Sequence, residues 1–208
     1  AIATLIQLIE STEDDDIRRQ AADSLGKIDP DNPTAIATLM KLIESTEDDD
    51  IRRKTAESLA KLDPSNQIAI AILVKLIEST EDEEIRRKVV DSLGKFTPSN
   101  PTAIAALVKF IEATEDEFDC GQAAESLGKI DRGNLAAIAT LLQLILSTQN
   151  ELVRWLATES LKKIMPEQQL VGIVITLKNY LSHETYQSDF RRFYQCYKVL
   201  WHCAQNMN

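Results

Sequence analysis

Residues 1–19 recur almost unchanged at 35–53 and again at 69–87, and weaker copies open at Ala103 and Ala137. The period is 34 residues, held without an insertion through five copies. A period of this length marks one supersecondary unit stacked on itself, so whatever one copy forms, its neighbours continue. The predicted organisation is five copies at 1–34, 35–68, 69–102, 103–136 and 137–170, followed by a divergent terminal copy at 171–208 that caps the array.

Each copy reads as two helices. In the first, Ile36, Leu39, Met40, Leu42 and Ile43 follow the spacing of a single apolar face, and in the second Ile51, Leu59 and Leu62 do the same around small Thr55 and Ala56. Asn32, Asn66, Asn100 and Asn134 are suited to cap the first helices, with Pro33 and Pro101 at the first helical position. Thr12, Thr46, Thr80, Thr114 and Thr148 are each followed three residues later by an acid, which predicts a capping box opening every second helix. Pro30, Pro64, Pro98 and Pro166 stop those helices. Two short amphipathic helices bury too little to offset roughly 1–2 kcal/mol of backbone entropy per residue, so no copy folds alone. The expected fold is all-α, a right-handed α-solenoid of two-helix repeats. A four-helix bundle does not explain the fixed period. Tetratricopeptide repeats share it, but their Trp, Gly and Tyr signature is absent here.

Composition narrows the function classes. A net charge of −10 argues against a sequence-independent nucleic-acid binder, which needs a basic stripe. The longest apolar run, residues 170–177, is far short of a membrane span of roughly 18–20 residues. Three scattered cysteines, Cys120, Cys196 and Cys203, make no disulfide framework and fit a reducing cytoplasm. No basic leader precedes an apolar stretch, so no secretory signal is expected. The chain opens at Ala1 inside an apolar pattern, which predicts a piece of something larger.

Several positions recur in every copy. Ser24, Ser58, Ser92, Ser126 and Ser160 are small residues in one row, expected to let neighbouring helices approach; no base recurs beside them to make a nucleophile. Acid–lysine pairs at i, i+4 (Asp23–Lys27, Glu57–Lys61, Asp91–Lys95, Glu125–Lys129, Glu159–Lys163) predict a solvated, self-neutralised face. The acidic runs at 13–16, 47–50 and 81–84 suit helix capping and lack the alternating ligands, central glycine and final glutamate of a calcium loop. The arginine pairs 18–19, 52–53 and 86–87 have two readings: clamps on those carboxylates from one copy to the next, or a groove that reads an acidic or phosphorylated partner. Asp119-Cys120-Gly121 replaces Ile-Arg-Arg in the fourth copy, and Val153-Arg154-Trp155 replaces it in the fifth. Such breaks mark either local repacking or a specialised patch. Candidate partner-binding residues are therefore Arg18, Arg52, Arg86, Phe118, Cys120, Arg154 and Trp155. No catalytic residue, cofactor or metal site is expected.

From Val171 the pattern changes: seven of the 11 aromatic residues lie here, and four basic residues face two acidic ones. Cys196, His202 and Cys203 share one predicted helix but lack zinc spacing, and core cysteines are the expectation.

The run at 17–28, with its copy at 123–130, resembles the HEAT-like repeats described in phycobilisome lyases. Thr-Glu-Asp-Glu-Phe at 114–118, Gly-Asn-x-x-Ala-Ile-Ala at 133–139 and the ending from Tyr194 to Met207 resemble the carboxy-terminal arrays of bacterial NACHT-type signalling NTPases. The resemblance implies an NTPase module elsewhere in a parent chain, and a sensing arm here that binds a protein or peptide. This stretch itself has no Gly-x-x-x-x-Gly-Lys-Ser/Thr loop. The rival implied by the first resemblance is a bilin lyase or lyase chaperone. A DNA-repair relative is disfavoured by the acidity.

Overall fold

The computed structural model describes residues 1–63, 66–96 and 99–207 of the chain. Helices come in pairs: α1 (Ile2–Ser11) with α2 (Asp15–Ile28), α3 (Pro33–Ser45) with α4 (Asp49–Leu62), α5 (Gln67–Ser79) with α6 (Glu83–Phe96), α7 (Pro101–Ala113) with α8 (Glu117–Ile130), and α9 (Leu135–Ser147) with α10 (Glu151–Ile164). Three further helices close the chain: α11 (Leu170–Leu177), α12 (His183–Ser188) and α13 (Phe190–Asn206). Two compact units result, Ala1–Ala103 and Ile104–Asn208. Each is a stack of helix pairs, and the fold class is an α-solenoid.

Within the first unit the second helices α2, α4 and α6 pack side by side, with the first helices layered against them. Leu25, Leu39, Leu59, Leu73 and Leu93 make its core. In the second unit α8, α10 and α13 are the corresponding row. Leu127, Leu141 and Leu161 continue inward there, and Leu177, Cys196, Val199 and Cys203 from the closing helices share that core. Close approach between second helices depends on small residues. A Cβ on Gly26 would lie 2.5 Å from Leu62, and one on Gly128 would lie 2.4 Å from Ile164.

Asparagine caps form as the sequence predicts: the side chains of Asn32, Asn66, Asn100 and Asn134 each accept from two backbone N–H groups at the start of α3, α5, α7 and α9. Pro30 and Pro166 lie just beyond the ends of α2 and α10; Pro64 and Pro98 lie outside the described residues. The capping box does not form. Asp14, Asp48, Asp82, Asp116 and Asn150 cap the second helices instead. The threonine two residues earlier ends the first helix, and its hydroxyl accepts from the capping residue's own N–H. The corner is only three residues long, and the side chain at its last position is the one within reach of the free N–H groups. At the corner before α9, Gly133 takes φ +90°, a left-handed conformation suited to glycine. Its carbonyl accepts from the Gln169 side chain at 2.8 Å.

Candidate functional site

The arginines that open the second helices are spent inside their own repeats. Arg18, Arg52 and Arg86 donate to the carbonyl oxygens of Thr12, Thr46 and Thr80 at 2.5, 2.5 and 2.6 Å, and Arg154 does the same to Thr148. These carbonyls belong to the ends of the first helices, where a cation answers the exposed C=O groups. Arg18 and Arg52 also hold Asp15 and Asp49 one turn back. For Arg18 and Arg52 the clamp therefore closes within one copy, whereas Arg154 also reaches a carboxylate of the next. Arg154 is 4% exposed and faces Asp189 of the closing segment at 3.6 Å, so it lies beneath the surface and not on it.

Contact between repeats runs through the serine row. The Ser92 hydroxyl donates to Glu57, and Ser160 donates to Glu125 at 2.9 Å, each across 35 residues. Asp23 accepts from Ser58 in the same register. The final step substitutes a lysine: Lys198 donates to Glu159 at 2.9 Å. The acids are consequently half-buried: Asp23, Asp91 and Glu125 keep the expected i, i+4 pairs with Lys27, Lys95 and Lys129, and Asp23 and Glu125 also make rungs to the neighbouring repeat. Burial pushes the Glu125 carboxyl up, but Ser160, Lys129 and Lys163 outweigh it and leave it lowered.

Two repeats of the second unit break the charge pattern at the surface. In the first unit Arg19 pairs with Asp16 at 2.8 Å, and Arg53 with Asp50 at 2.7 Å. The same positions hold Phe118 and Gly121 on α8, and Leu152 and Trp155 on α10. Phe118 is 36% exposed and Trp155 45%. A pocket of about 180 Å³ opens between α8 and α10, walled by Phe118, Val153 and Leu156. A second, of about 200 Å³, lies between α10 and α13 and brings Trp155 together with Phe190, Arg191, Tyr194 and Gln195. The rim pair Arg191–Glu151 borders it. Along α13 the rings of Phe190 and Tyr194 stack, as do those of Tyr197 and Trp201, each residue 43–55% exposed. The sequence marked Phe118 and Trp155, and the structure brings Trp155 to the closing helix. Leu152, Leu156 and Phe190 went unmarked, though each replaces a polar residue of the repeat or lies in the aromatic tail.

Cys120 takes the arginine's place in α8, its Sγ 3.7 Å from the Thr114 carbonyl oxygen. Burial and the carboxylates of Asp116, Asp119 and Glu117 push its thiol up, away from nucleophilic character. Burial likewise pushes Cys196 up to about 11. Cys196 and Cys203 are buried while His202 is half-buried. Among the described residues no group of three or more His, Cys, Asp or Glu is placed to hold a metal. None of the described helices is long and apolar enough to cross a membrane.

Paired helices stacked in two units, with serine rungs in register between neighbouring repeats, define the class as a helical-repeat protein. The chain belongs to the HEAT repeats, whose family model matches residues 1–60 and 63–128. Residues 189–208, the stretch that includes α13, match the model of the NACHT C-terminal Cysteine and Histidine-containing family. A solved structure described as "Computational Design of Self-Assembling Cyclic Protein Homooligomers" is 14% identical, covering 100% of this chain and 71% of its own, with a TM-score of 0.19, too loose to bear on the fold. No curated protein matches the chain.

Proposed function

We propose that this chain is the non-enzymatic protein-recognition arm of a larger NACHT-type signalling NTPase, acting in the cytoplasm. One observation carries the reading: the second unit gives up surface ion pairs for Phe118, Leu152 and Trp155 at positions where the first unit keeps them. A scaffold needs no exposed ring where an Asp–Arg pair already serves, whereas aromatic anchors are what protein interfaces concentrate. The NACHT-type ending at 189–208 supports the signalling context. Phe118, Trp155 and, beside them, Phe190 and Tyr194 form the partner face. Arg18, Arg52, Arg86 and Arg154 support the corners of their repeats, and Cys120 fills the same corner in α8.

The test is binding by the full-length protein with Trp155→Ala and Phe118→Ala. Loss of at least tenfold in affinity for its partner is expected, with Gln20→Ala unchanged. Equal binding by all three variants would remove the reading.

A further inference from the structure

Arg53 and Gly121 occupy the same position of their copies, 68 residues apart, and so do Glu57 and Glu125, Ser92 and Ser160, and Lys95 and Lys163. In the second copy Glu57 is the centre of a filled group. Arg53 and Ser92 both donate to its Oε1, and Lys95 lies close enough to feel its charge. In the fourth copy the same group lacks its arginine. Ser160 donates to Glu125 at 2.9 Å, and Lys163 and Lys129 stand at 3.3 and 3.4 Å, while Gly121 contributes no side chain. The pocket of about 180 Å³ opens at this corner.

We propose that the Gly121 pocket receives an arginine side chain from a protein or peptide partner, supplying in trans the guanidinium that Arg53 supplies to Glu57. The inference rests on the protein-recognition reading and names the chemistry of what is recognised. Three features of the pocket select a guanidinium. Its lining includes the Glu125 carboxylate and Gln122, whose side-chain Oε1 is buried without a hydrogen-bond donor among the described residues. Phe118 replaces Asp50 and lines the pocket, so an aromatic side chain occupies the position whose carboxylate holds Arg53, and guanidinium groups pack on aromatic rings. Val153 and Leu156 offer apolar wall for the aliphatic stem. An apolar side chain would leave Gln122 unsatisfied, and an acidic one would meet Glu125. A lysine ammonium lacks the planar fork that reaches a carboxylate, an amide oxygen and a ring together. Lys95, in the place that corresponds to Lys163, pairs with Asp91 and leaves Glu57 to its arginine; Lys163 and Lys129 pair with Glu125 and would share its carboxylate with the entering guanidinium.

The test is an NMR titration of the chain with acetyl-Ala-Ala-Arg-Ala-Ala-amide, following the Gly121 and Gln122 amides. Peptides with citrulline, lysine or leucine at the centre serve as comparisons. Saturable shifts with arginine are expected, with citrulline and leucine at least tenfold weaker. Gly121→Arg places a guanidinium in the pocket from its own chain and should weaken the arginine peptide at least tenfold. Glu125→Gln, which keeps an acceptor for Ser160, should do the same. No saturable shift with arginine would overturn the proposal. So would equal binding of citrulline, or undiminished binding by both variants with native circular dichroism. A partner that requires Trp155 yet ignores Gly121→Arg would overturn the arginine receptor and leave the protein-recognition reading standing.

Discussion

Ser160 donates to Glu125 at 2.9 Å across 35 residues of chain, joining α10 to the α8 helix of the preceding repeat. Ser24, at the same position of the first copy, instead donates to Gln20 of its own helix at 2.8 Å. Identical residues in identical register therefore carry different loads. Ser160→Ala removes one donor from a half-buried carboxylate that Lys163 and Lys129 still pair, and should cost about 0.5–1.5 kcal/mol. Ser24→Ala should stay within about 0.5 kcal/mol. Urea denaturation of both variants checks this, and equal effects would contradict the rung.

Acid should unfold the protein through these same carboxyls. Burial pushes Asp50 up, but hydrogen bonds from Lys54 and Arg53 and their charges outweigh it and bring it from 3.8 to about 2. Asp16, Asp23, Glu125 and Glu159 are lowered as well. A group whose folded pKa is depressed stabilises above its unfolded value, and that stability is lost as pH falls through the folded one. Urea midpoints should hold nearly level above pH 5, then fall between about pH 4 and pH 2. Asp50→Asn should flatten part of that fall. A midpoint unchanged down to pH 2 would exclude the paired carboxylates as the cause.

Much of this was legible from the repeat. The period set the helix pairs, and the asparagine caps followed because an N-cap is a local event between a side chain and the next two or three N–H groups. The serine rungs were not legible. Serine spacing and acid–lysine spacing each looked complete within one helix, and only the stacking register shows that Glu125 and Ser160 meet. The threonine box failed for a related reason, since spacing alone cannot tell the end of one helix from the start of the next when three residues separate them. Phe118 and Trp155 stood out as breaks in the pattern, but the pocket behind Phe118 depends on the side chain that Gly121 lacks.

Two glycines of α8 should respond to alanine in opposite directions. A Cβ on Gly121 would meet only Leu144, at 3.4 Å, so Gly121→Ala should gain about 0.5–1 kcal/mol from helix propensity. A Cβ on Gly128 would lie 2.4 Å from Ile164, and Gly128→Ala should lose about 1–3 kcal/mol by overpacking. Thermal melts of the two variants separate the cases, and a shift of the same sign in both would contradict the packing described.

The three thiols should be slow to react. All are raised, Cys120 and Cys203 by burial and Cys196 by burial to about 11, so little thiolate exists at neutral pH. Labelling of the folded chain with iodoacetamide at pH 7 should lag well behind labelling in urea. Rapid modification of Cys120 in the folded chain would show that its environment is not the one seen here.

The claim that partner recognition lies on the α8–α10–α13 face is tested most directly by site-specific photo-cross-linking in the full-length protein. A photoreactive residue at Phe118, at Trp155, or at Gln20 on the second helix of the first repeat would be activated in the cell of origin. The account predicts the same protein partner cross-linked from Phe118 and Trp155, and none from Gln20. Cross-links from Gln20 with none from the other two would contradict it.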